Sequence, residues 1–249
     1  MPHRPPLDAT RVALAAPWTG LEVVEEIDST NVAALGRPPG SVLAAEFQTA
    51  GRGRLDRSWV SPARAGLSFS VVLRPSPPLS TWGWLPLLAG LAVCDVIESA
   101  VLKWPNDVLL GSPHRKLAGI LAQASVPDVI VGIGLNVSTT PAELPVDTAT
   151  SLAIEGREVD RSGLLAGLLD AFGRRVLDWS GDGGRGPVDE YVRRCATIGQ
   201  LVRVHAVDSS LAEGEAVGVD ETGRLIVVTP DGPMAVAAGD VEHVRPVTQ

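Results

Sequence analysis

Cysteine is scarce in this chain: its 249 residues include only Cys94 and Cys195. Two cysteines that lie far apart in the sequence offer neither the ligand spacing of a metal site nor the framework of a disulfide-stabilised domain. The N-terminal residues also lack the apolar core of a secretory signal peptide. Together these absences predict a protein of a reducing compartment, the cytoplasm.

Positive charge and long apolar runs are lacking too. The formal net charge is -8 and no dense tract of lysine or arginine occurs, which argues against nucleic acid or a membrane surface as a partner. The longest apolar stretch, residues 85–102, is interrupted by Pro86 and Gly90 and carries Asp95 and Glu98. It therefore predicts a helix buried against a sheet rather than a membrane span.

The remaining composition is that of a globular protein, with 45% apolar and 20% charged residues. Up to about residue 196, strand-like and helical segments alternate along the chain. Strands are predicted over 21–28, 41–47, 67–73, 101–104, 108–110, 116–124 and 129–137, and helices over 30–36, 82–100, 161–180 and 187–195. From residue 197 onward, four short β-type runs (201–207, 211–220, 225–229 and 234–237) are separated by turns.

This change of character predicts an α/β (α+β) fold in two domains. Residues 1–196 should form a mixed β-sheet with helices mainly on one face, and residues 197–249 should form a small SH3-like β-barrel. The barrel contains no cluster of residue types that suit catalysis. Functional residues are therefore expected in the larger domain.

A glycine- and arginine-rich loop follows the second predicted strand, at residues 48–59. Gly51 and Gly53 allow the backbone to turn and to expose its N–H groups. Three arginines add permanent cationic forks that suit carboxylate and phosphate: Arg52, Arg54 and Arg57. In an acidic protein this loop predicts a clamp for a small anionic ligand, and the alternative is a mobile surface loop.

Four further polar clusters interrupt the apolar strands at places where the ligand sites of α/β sheets usually lie. They are Asp28-Ser29-Thr30-Asn31, Lys103-Trp104-Pro105-Asn106-Asp107, Arg115-Lys116-Leu117-Ala118-Gly119-Ile120-Leu121 and Gly132-Ile133-Gly134-Leu135-Asn136-Val137. Each has an ordinary alternative. The first suits a helix cap, the second a surface ion pair, the third a solvated lysine, and the last lacks the spacing of a dinucleotide fingerprint.

Taken together and in this order, the motifs resemble those of the bacterial biotin–protein ligases. The resemblance covers nearly the whole chain, from Asp28 to Arg245. It is carried by Ser29-Thr30-Asn31, Gln48-Thr49-Ala50-Gly51-Arg52-Gly53-Arg54, Arg57-x-Trp59, Lys103-Trp104-Pro105-Asn106-Asp107, Lys116-Leu117-Ala118-Gly119-Ile120-Leu121 and Gly132-Ile133-Gly134-Leu135-Asn136. The combination is far more specific than any one of these motifs.

The resemblance implies an adenylate-forming ligase that uses biotin, ATP and Mg²⁺. In this family the biotin carboxylate attacks the α-phosphate of ATP, which gives biotinyl-5′-AMP and pyrophosphate. A lysine of a biotin carboxyl carrier protein domain, such as that of acetyl-CoA carboxylase, then attacks this mixed anhydride and releases AMP. Both steps gather negative charge at one phosphate, which fixed cations and backbone N–H groups stabilise.

The resemblance also implies a role for each matched residue. The implied catalytic residues are Lys116, Arg54 and Lys103. Biotin is expected to contact Ser29, Thr30, Asn31, Gln48, Gly51, Arg52 and Gly119. The nucleotide is expected to contact Arg52, Arg54, Arg57, Trp59, Lys103, Asn106, Lys116 and Asn136. Asp107 is the implied ligand of Mg²⁺.

The chain departs from the family pattern in two places. Many bacterial members begin with a winged helix-turn-helix domain, but here the residues before Asp28 are few and not basic. A ligase without repressor function is therefore expected. In the loop, Asp56 replaces a glycine that the family usually has. Aspartate tolerates a positive φ, but its charge lowers the loop's net charge from three to two.

Two other functions remain open at this level. A lipoate or related acyl-adenylate ligase shares the general fold, although the glycine–arginine loop and the run at 103–107 favour biotin. A non-catalytic module that senses a nucleotide or biotin would keep the pocket but would not need Lys116 or the loop arginines. No segment identifies an oligomeric interface.

Overall fold

A computed structural model describes residues 4–205, 211–237 and 240–243 and contains two β-sheets. The strands of the larger sheet are, in chain order, β1 (Gly20–Ile27), β2 (Ser41–Gln48), β3 (Gly66–Leu73), β4 (Val101–Lys103), β5 (Asp107–Leu110), β6 (Arg115–Ser125) and β7 (Asp128–Asn136). Their order across the sheet is β1-β2-β3-β7-β6-β5-β4. β1 and β2 are parallel, and the other neighbours are antiparallel. The predicted mixed sheet is therefore confirmed.

Four α-helices accompany this sheet: α1 (Thr30–Ala33), α2 (Trp84–Val96), α3 (Arg161–Gly181) and α4 (Val188–Arg194). Side chains along the middle strands alternate between the two faces of the sheet. Val71 and Val131 point into the main core, where α2 and α3 pack. Val72 and Ile130 point to the opposite face and pack against Ala34, at the end of α1. The two longest helices thus cover one face, and the short α1 lies on the other.

The apolar stretch at 85–102 forms α2, as predicted, but the helix begins at Trp84 and ends at Val96 rather than spanning 82–100. Most of its residues are buried because it lies between the sheet and α3. Burial raises the pKa of the Cys94 thiol in this helix to about 12. In the described part of the chain, no helix has the length and apolar character to cross a membrane.

The smaller sheet is antiparallel and forms the C-terminal barrel. Its strands are β8 (Leu201–His205), β9 (Leu211–Val219), β10 (Leu225–Thr229), β11 (Gly232–Val236) and β12 (Asp240–His243), in the order β11-β10-β9-β8-β12. The small C-terminal β-structure is confirmed, although the sequence did not predict β12. The predicted continuation of the first of these strands to Val207 lies outside the described residues.

The N-terminal segment is attached to the larger sheet by buried charge. Arg161 in α3 and Glu46 in β2 form an ion pair of 2.7 Å, with side chains that are 7% and 2% exposed. Arg161 also donates to the carbonyl of Pro5, and Glu46 accepts from the backbone N–H of Leu7. Every charged group in this cluster therefore has partners, as burial requires. No motif in the sequence indicated this pair.

Candidate active site

One cavity of about 170 Å³ lies on the sheet face that carries α1. Thirteen of the fifteen predicted site residues line it: Ser29, Thr30, Asn31, Gln48, Arg52, Arg54, Arg57, Trp59, Lys103, Asn106, Asp107, Lys116 and Gly119. They come from segments that are far apart in the sequence and that the sheet brings together. Gly51 and Asn136 are not among the lining residues.

The neutral end of the cavity is defined here as Ser29, Thr30, Asn31 and Gln48, with the buried Ser70 behind it. All of these residues except Ser29 belong to one hydrogen-bonded cluster. Thr30 donates to Gln48 Oε1 through its backbone N–H at 2.8 Å and its hydroxyl at 3.1 Å. Ser70 Oγ lies 2.8 Å from Thr30 Oγ1 and 2.7 Å from Asn31 Oδ1. Since Ser70 is fully buried and Thr30 is 4% exposed, these bonds fix the side-chain positions.

Ser29 occupies the N-cap position of α1 but makes no capping hydrogen bond through its side chain. The ordinary interpretation of this cluster as a helix cap therefore fails for Ser29, since a cap would satisfy a backbone donor of the helix. Its hydroxyl lies at the cavity instead. Ser70 supports Thr30 and Asn31 through these hydrogen bonds and was not predicted from the sequence, where the alternating serines of β3 were the available signal.

The two glycines of the Gly132-x-Gly134 motif allow close approach of side chains to the sheet. A Cβ at Gly132 would overlap Asn31 Oδ1, and a Cβ at Gly134 would lie 2.6 Å from Trp59 Nε1. Gly134 is directly paired with Gly119 of β6, where a Cβ would lie 3.2 Å from the same indole. The two glycines therefore leave room for the side chains of Asn31 and Trp59 to pack against the sheet. This is a packing role, and the motif does not form a phosphate-binding loop.

The glycine–arginine loop forms a hairpin over residues 51–59, called here the arginine hairpin. Trp59 donates its backbone N–H to the carbonyl of Gly51 at 2.9 Å, and Gly53 donates to that of Arg57 at 2.6 Å. At the tip, Leu55 and Asp56 have φ values of +53° and +57°. Asp56 thus adopts the positive φ expected of the glycine that it replaces.

The charged end of the cavity comprises the arginine hairpin together with Lys103, Asn106, Asp107 and Lys116. Arg54 Nη1 donates to Asn106 Oδ1 at 3.3 Å, so the hairpin touches the turn between β4 and β5. Among the described residues that line the cavity, five are cationic and one is a carboxylate. The five cations are three arginines and two lysines. The whole chain contains only two lysines, and both are here. This end is therefore strongly cationic in a protein of net charge -8.

A β-bulge directs Lys116 toward the cavity. Val108 of β5 pairs with Ala118 and Leu109 with Lys116, so Leu117 is the extra residue. In a regular strand, residues 116 and 119 would face opposite sides of the sheet. The bulge instead brings Lys116 Nζ within 3.4 Å of the position of a Cβ on Gly119, which shows how such irregularities re-aim a side chain.

Lys116 Nζ lies 2.7 Å from Asp107 Oδ1 and 6.0 Å from the centre of the Trp59 ring. Within the described residues, Asp107 Oδ1 accepts no well-directed hydrogen bond despite this short distance, and buried Trp59 Nε1 has no partner. The contact with Asp107 is therefore an ion pair with poor hydrogen-bond geometry. Both atoms retain capacity for a ligand, since buried polar groups usually have partners.

The backbone of Lys116 is hydrogen-bonded to a short segment, residues 148–150, that follows β7 in the chain. Its N–H donates to the carbonyl of Thr148, and its own carbonyl accepts from Thr150, both at 2.8 Å. Asn136 is 5% exposed and donates its side-chain amide to Thr150 O at 3.0 Å. This amide therefore supports the segment beside Lys116, and nucleotide contact by Asn136 stays a prediction.

The described residues contain no group of three or more histidine, cysteine, aspartate or glutamate side chains arranged to hold a metal. Asp107 is the one carboxylate among the residues that line the cavity. A single carboxylate suits Mg²⁺ that is shared with substrate phosphates and does not suit an all-protein metal cage.

Comparison with known proteins agrees with this architecture. The profile of the Biotin/lipoate A/B protein ligase family matches residues 23–136, and that of the biotin protein ligase C-terminal domain matches residues 197–244. The chain is similar to the biotin–[acetyl-CoA-carboxylase] ligase of Mycobacterium tuberculosis, with 38% identity over 97% of each chain. It is 35% identical to a bifunctional ligase/repressor of Bacillus subtilis over 82% of this chain and 66% of that protein.

A solved structure shows the same arrangement in space. The biotin protein ligase of Aquifex aeolicus in complex with biotin and ATP superposes with a TM-score of 0.77 and 29% identity, covering 92% of this chain and all of that one. The arrangement of the two sheets is thus that of a biotin protein ligase fold. The chain belongs to the biotin protein ligase family.

Proposed function

We propose that this protein attaches biotin to a specific lysine of a biotin carboxyl carrier protein domain, by way of biotinyl-5′-AMP. The observation that carries the proposal is the juxtaposition, in one cavity, of a neutral hydrogen-bonding end and a cationic end, with Lys116 beside Asp107. The A. aeolicus relative was solved with biotin and ATP. The relative from M. tuberculosis is named for ligation to acetyl-CoA carboxylase.

The neutral end suits the ureido ring of biotin. This ring is uncharged and offers both donors and an acceptor, so it needs fixed polar partners and no counter-charge. Ser29, Thr30, Asn31 and Gln48 supply hydroxyl and amide groups there. Hydrogen bonds between Thr30 and Gln48, and from Ser70 to Thr30 and Asn31, hold three of these side chains in place before a ligand arrives, which reduces the entropy lost on binding.

The charged end suits the first chemical step. An oxygen of the biotin carboxylate forms a bond to the α-phosphorus of ATP, and the bond to the departing pyrophosphate breaks. Lys116, Arg54 and Lys103 would stabilise the charge that collects on this phosphate. Arg52 and Arg57 of the hairpin, together with Asn106 and Trp59, would hold the nucleotide.

Mg²⁺ supplies further positive charge to the phosphates when it is bound. Asp107 is the residue that we propose to hold it, with the remaining ligands coming from ATP and water. Because Lys116 lies 2.7 Å from the same carboxylate, the two cations would share Asp107. In this proposal Asp107 orients the Lys116 side chain, and Lys116 contacts the reacting groups directly.

We further propose that the chain acts as a ligase alone, in the cytoplasm, without binding DNA or a membrane. Its net charge of -8 disfavours association with DNA. The proposed domains are a catalytic domain at residues 1–196 and the SH3-like barrel at 197–249. A biotin-dependent footprint on promoter DNA would contradict this part of the proposal.

Exchange of labelled pyrophosphate into ATP tests the proposed activity. We expect exchange that depends on biotin, followed by incorporation of biotin into a purified carrier domain. Exchange that depends on lipoate would identify the related lipoate ligase activity instead. Absence of exchange with either acid, in folded protein, would indicate a binding module.

A further inference from the structure

The C-terminal barrel is held against the turn between β4 and β5 by a tryptophan within that turn. Trp104 is 2% exposed, and its indole Nε1 donates to the carbonyl of Gly223 at 3.1 Å. Its backbone N–H donates to Thr197 Oγ1, also at 3.1 Å. From α2, Trp84 Nε1 donates to the carbonyl of Glu221 at 2.8 Å. These bonds place the barrel turn at residues 220–224 beside the charged end.

A second cavity, of about 310 Å³, lies between this barrel turn and the larger domain and is called here the interdomain cleft. It adjoins the first cavity, because both are lined by Arg54, Trp104, Pro105, Asn106 and Ile120. The rest of its wall includes apolar Pro86, Leu87 and Ala122 from the larger domain and Thr222, Arg224 and Ala237 from the barrel.

We propose that the interdomain cleft receives the loop of the acceptor protein that carries the target lysine, an inference that rests on the function proposed above. Biotinyl-5′-AMP would fill the first cavity, so the acceptor backbone must lie outside it and only a lysine side chain can enter. The cleft borders the charged end along Arg54 and Asn106. Its apolar wall with an arginine at the edge has the composition that protein interfaces favour.

This placement suits the second chemical step. The neutral lysine amine forms a bond to the acyl carbon of the adenylate, and the bond from that carbon to the phosphate oxygen breaks. AMP leaves with the electron pair, and the amine loses one proton to water. An approach past Arg54 and Asn106 delivers the lysine beside the groups that are proposed to hold this phosphate.

The two half-reactions provide the test. Arg224→Ala and Ala237→Phe alter the barrel wall at exposed positions, so neither removes a core side chain. We expect each variant to raise the KM for a purified carrier domain about tenfold. Biotin-dependent pyrophosphate exchange, and transfer of biotin to hydroxylamine as a small nucleophile that needs no docking, should change less than about twofold.

Arg203→Ala is the matched control, because it removes another barrel arginine from an exposed ion pair, with Glu213 at 2.5 Å, away from the cleft. It should leave the acceptor KM unchanged. An unchanged acceptor KM in both cleft variants would overturn the docking site. A parallel loss of pyrophosphate exchange would also overturn it, since the cleft would then belong to nucleotide chemistry. Lack of exchange in the wild-type protein would instead contradict the proposed function itself.

Discussion

The neutral end and the charged end of the active-site cavity are built on different supports. Thr30, Asn31 and Ser70 lie on α1 and β3, where they are at least 95% buried and bonded to one another. Arg52 and Arg57 lie on a hairpin loop and are exposed. The neutral end is therefore built on regular elements of the fold, whereas the charged end also draws on exposed arginine side chains carried by a loop.

The difference suggests a division between recognition and chemistry. Fixed neutral groups discriminate a ligand by hydrogen-bond pattern, because a mismatched ligand would leave buried groups unpaired. Positioned cationic side chains stabilise the negative charge that collects on a phosphate during reaction. Variants at the charged end should therefore affect catalysis and adenylate binding more than biotin affinity. Three of the predictions concern this end, and a fourth concerns an ion pair outside the cavity.

The largest effect is expected for Lys116→Ala at the charged end. The change removes a positioned charge beside the reacting phosphate and should slow adenylate formation by a factor of about 10² or more. Biotin-dependent pyrophosphate exchange measures this step, and biotin affinity by calorimetry should fall much less. Lys116→Arg keeps the charge but not the shape and should recover only part of the rate. Near-normal exchange in Lys116→Ala would exclude this role.

The next effect is expected for Gly134→Ala, which places a methyl group against the Trp59 indole. Trp59 must shift, and such overpacking typically costs about 1–3 kcal/mol. We expect about tenfold weaker binding of biotinyl-5′-AMP by calorimetry. Gly218→Ala in β9 is the matched control, because no atom lies within 4 Å of its Cβ position. Equal affinities in the two variants would show that the indole does not wall the site.

A smaller effect is expected for Asp56→Gly at the tip of the arginine hairpin. Removing this carboxylate takes an anion from beside the arginines, so adenylate binding should tighten by about 1 kcal/mol at low salt. High salt should reduce the gain because it screens exposed charges. The positive φ of +57° is retained by glycine without strain. Calorimetry at two salt concentrations decides, and weaker binding by the variant at low salt would show that Asp56 stabilises the turn.

The smallest effect is expected outside the cavity, for Arg4→Ala. Hydrogen bonds from Arg4, and next from the backbone N–H of Thr140, hold the pKa of Glu143 at about 2, well below its ordinary value of 4.5. Because the folded pKa is lowered, this pair stabilises the fold above about pH 4.5 and loses its contribution as the pH falls toward 2. The difference in unfolding free energy between wild type and variant should therefore narrow over this range, and the part due to the bonds from Arg4 to Ser138 should remain.

Arg11→Ala is the control for that measurement, because its ion pair with Asp160 is exposed on both sides, at 57% and 46%. Exposed pairs contribute little, so its stability should follow the wild type at each pH. If the difference in unfolding free energy between wild type and Arg4→Ala is the same at pH 7 and pH 2, the ion pair with Glu143 is not its cause.

The sequence could predict the features that depend on local pattern. The alternation of apolar and polar residues predicted strands, and the length of the apolar run at 85–102 predicted α2. The order of the motifs predicted thirteen of the residues that line the cavity. It could not predict the bulge at Leu117, because that depends on pairing with β5. In a regular strand Lys116 and Gly119 would lie on opposite faces of the sheet. The sequence therefore could not show that the Lys116 side chain reaches Gly119.

The sequence also could not predict residue roles that depend on partners far away in the chain. Trp104 belongs to the predicted site run at residues 103–107, but its indole donates a hydrogen bond to the barrel, more than 100 positions away in the sequence. Gly132 and Gly134 looked like a weak nucleotide motif, and their use is to admit Asn31 and Trp59. In each case the deciding contact joins segments whose proximity only the folded sheet creates.

The confinement of both lysines to the cavity has a consequence for labelling. Acyl adenylates that escape an enzyme modify accessible amines, and guanidinium groups do not react because they stay protonated. Every other basic side chain of this protein apart from four histidines is an arginine. If the proposed adenylate forms, self-acylation of side chains would be confined to Lys103 and Lys116. A reagent that modifies amines would therefore report on the accessibility of the cavity. Protection of Lys116 by a bound ligand would be read directly from the peptide masses.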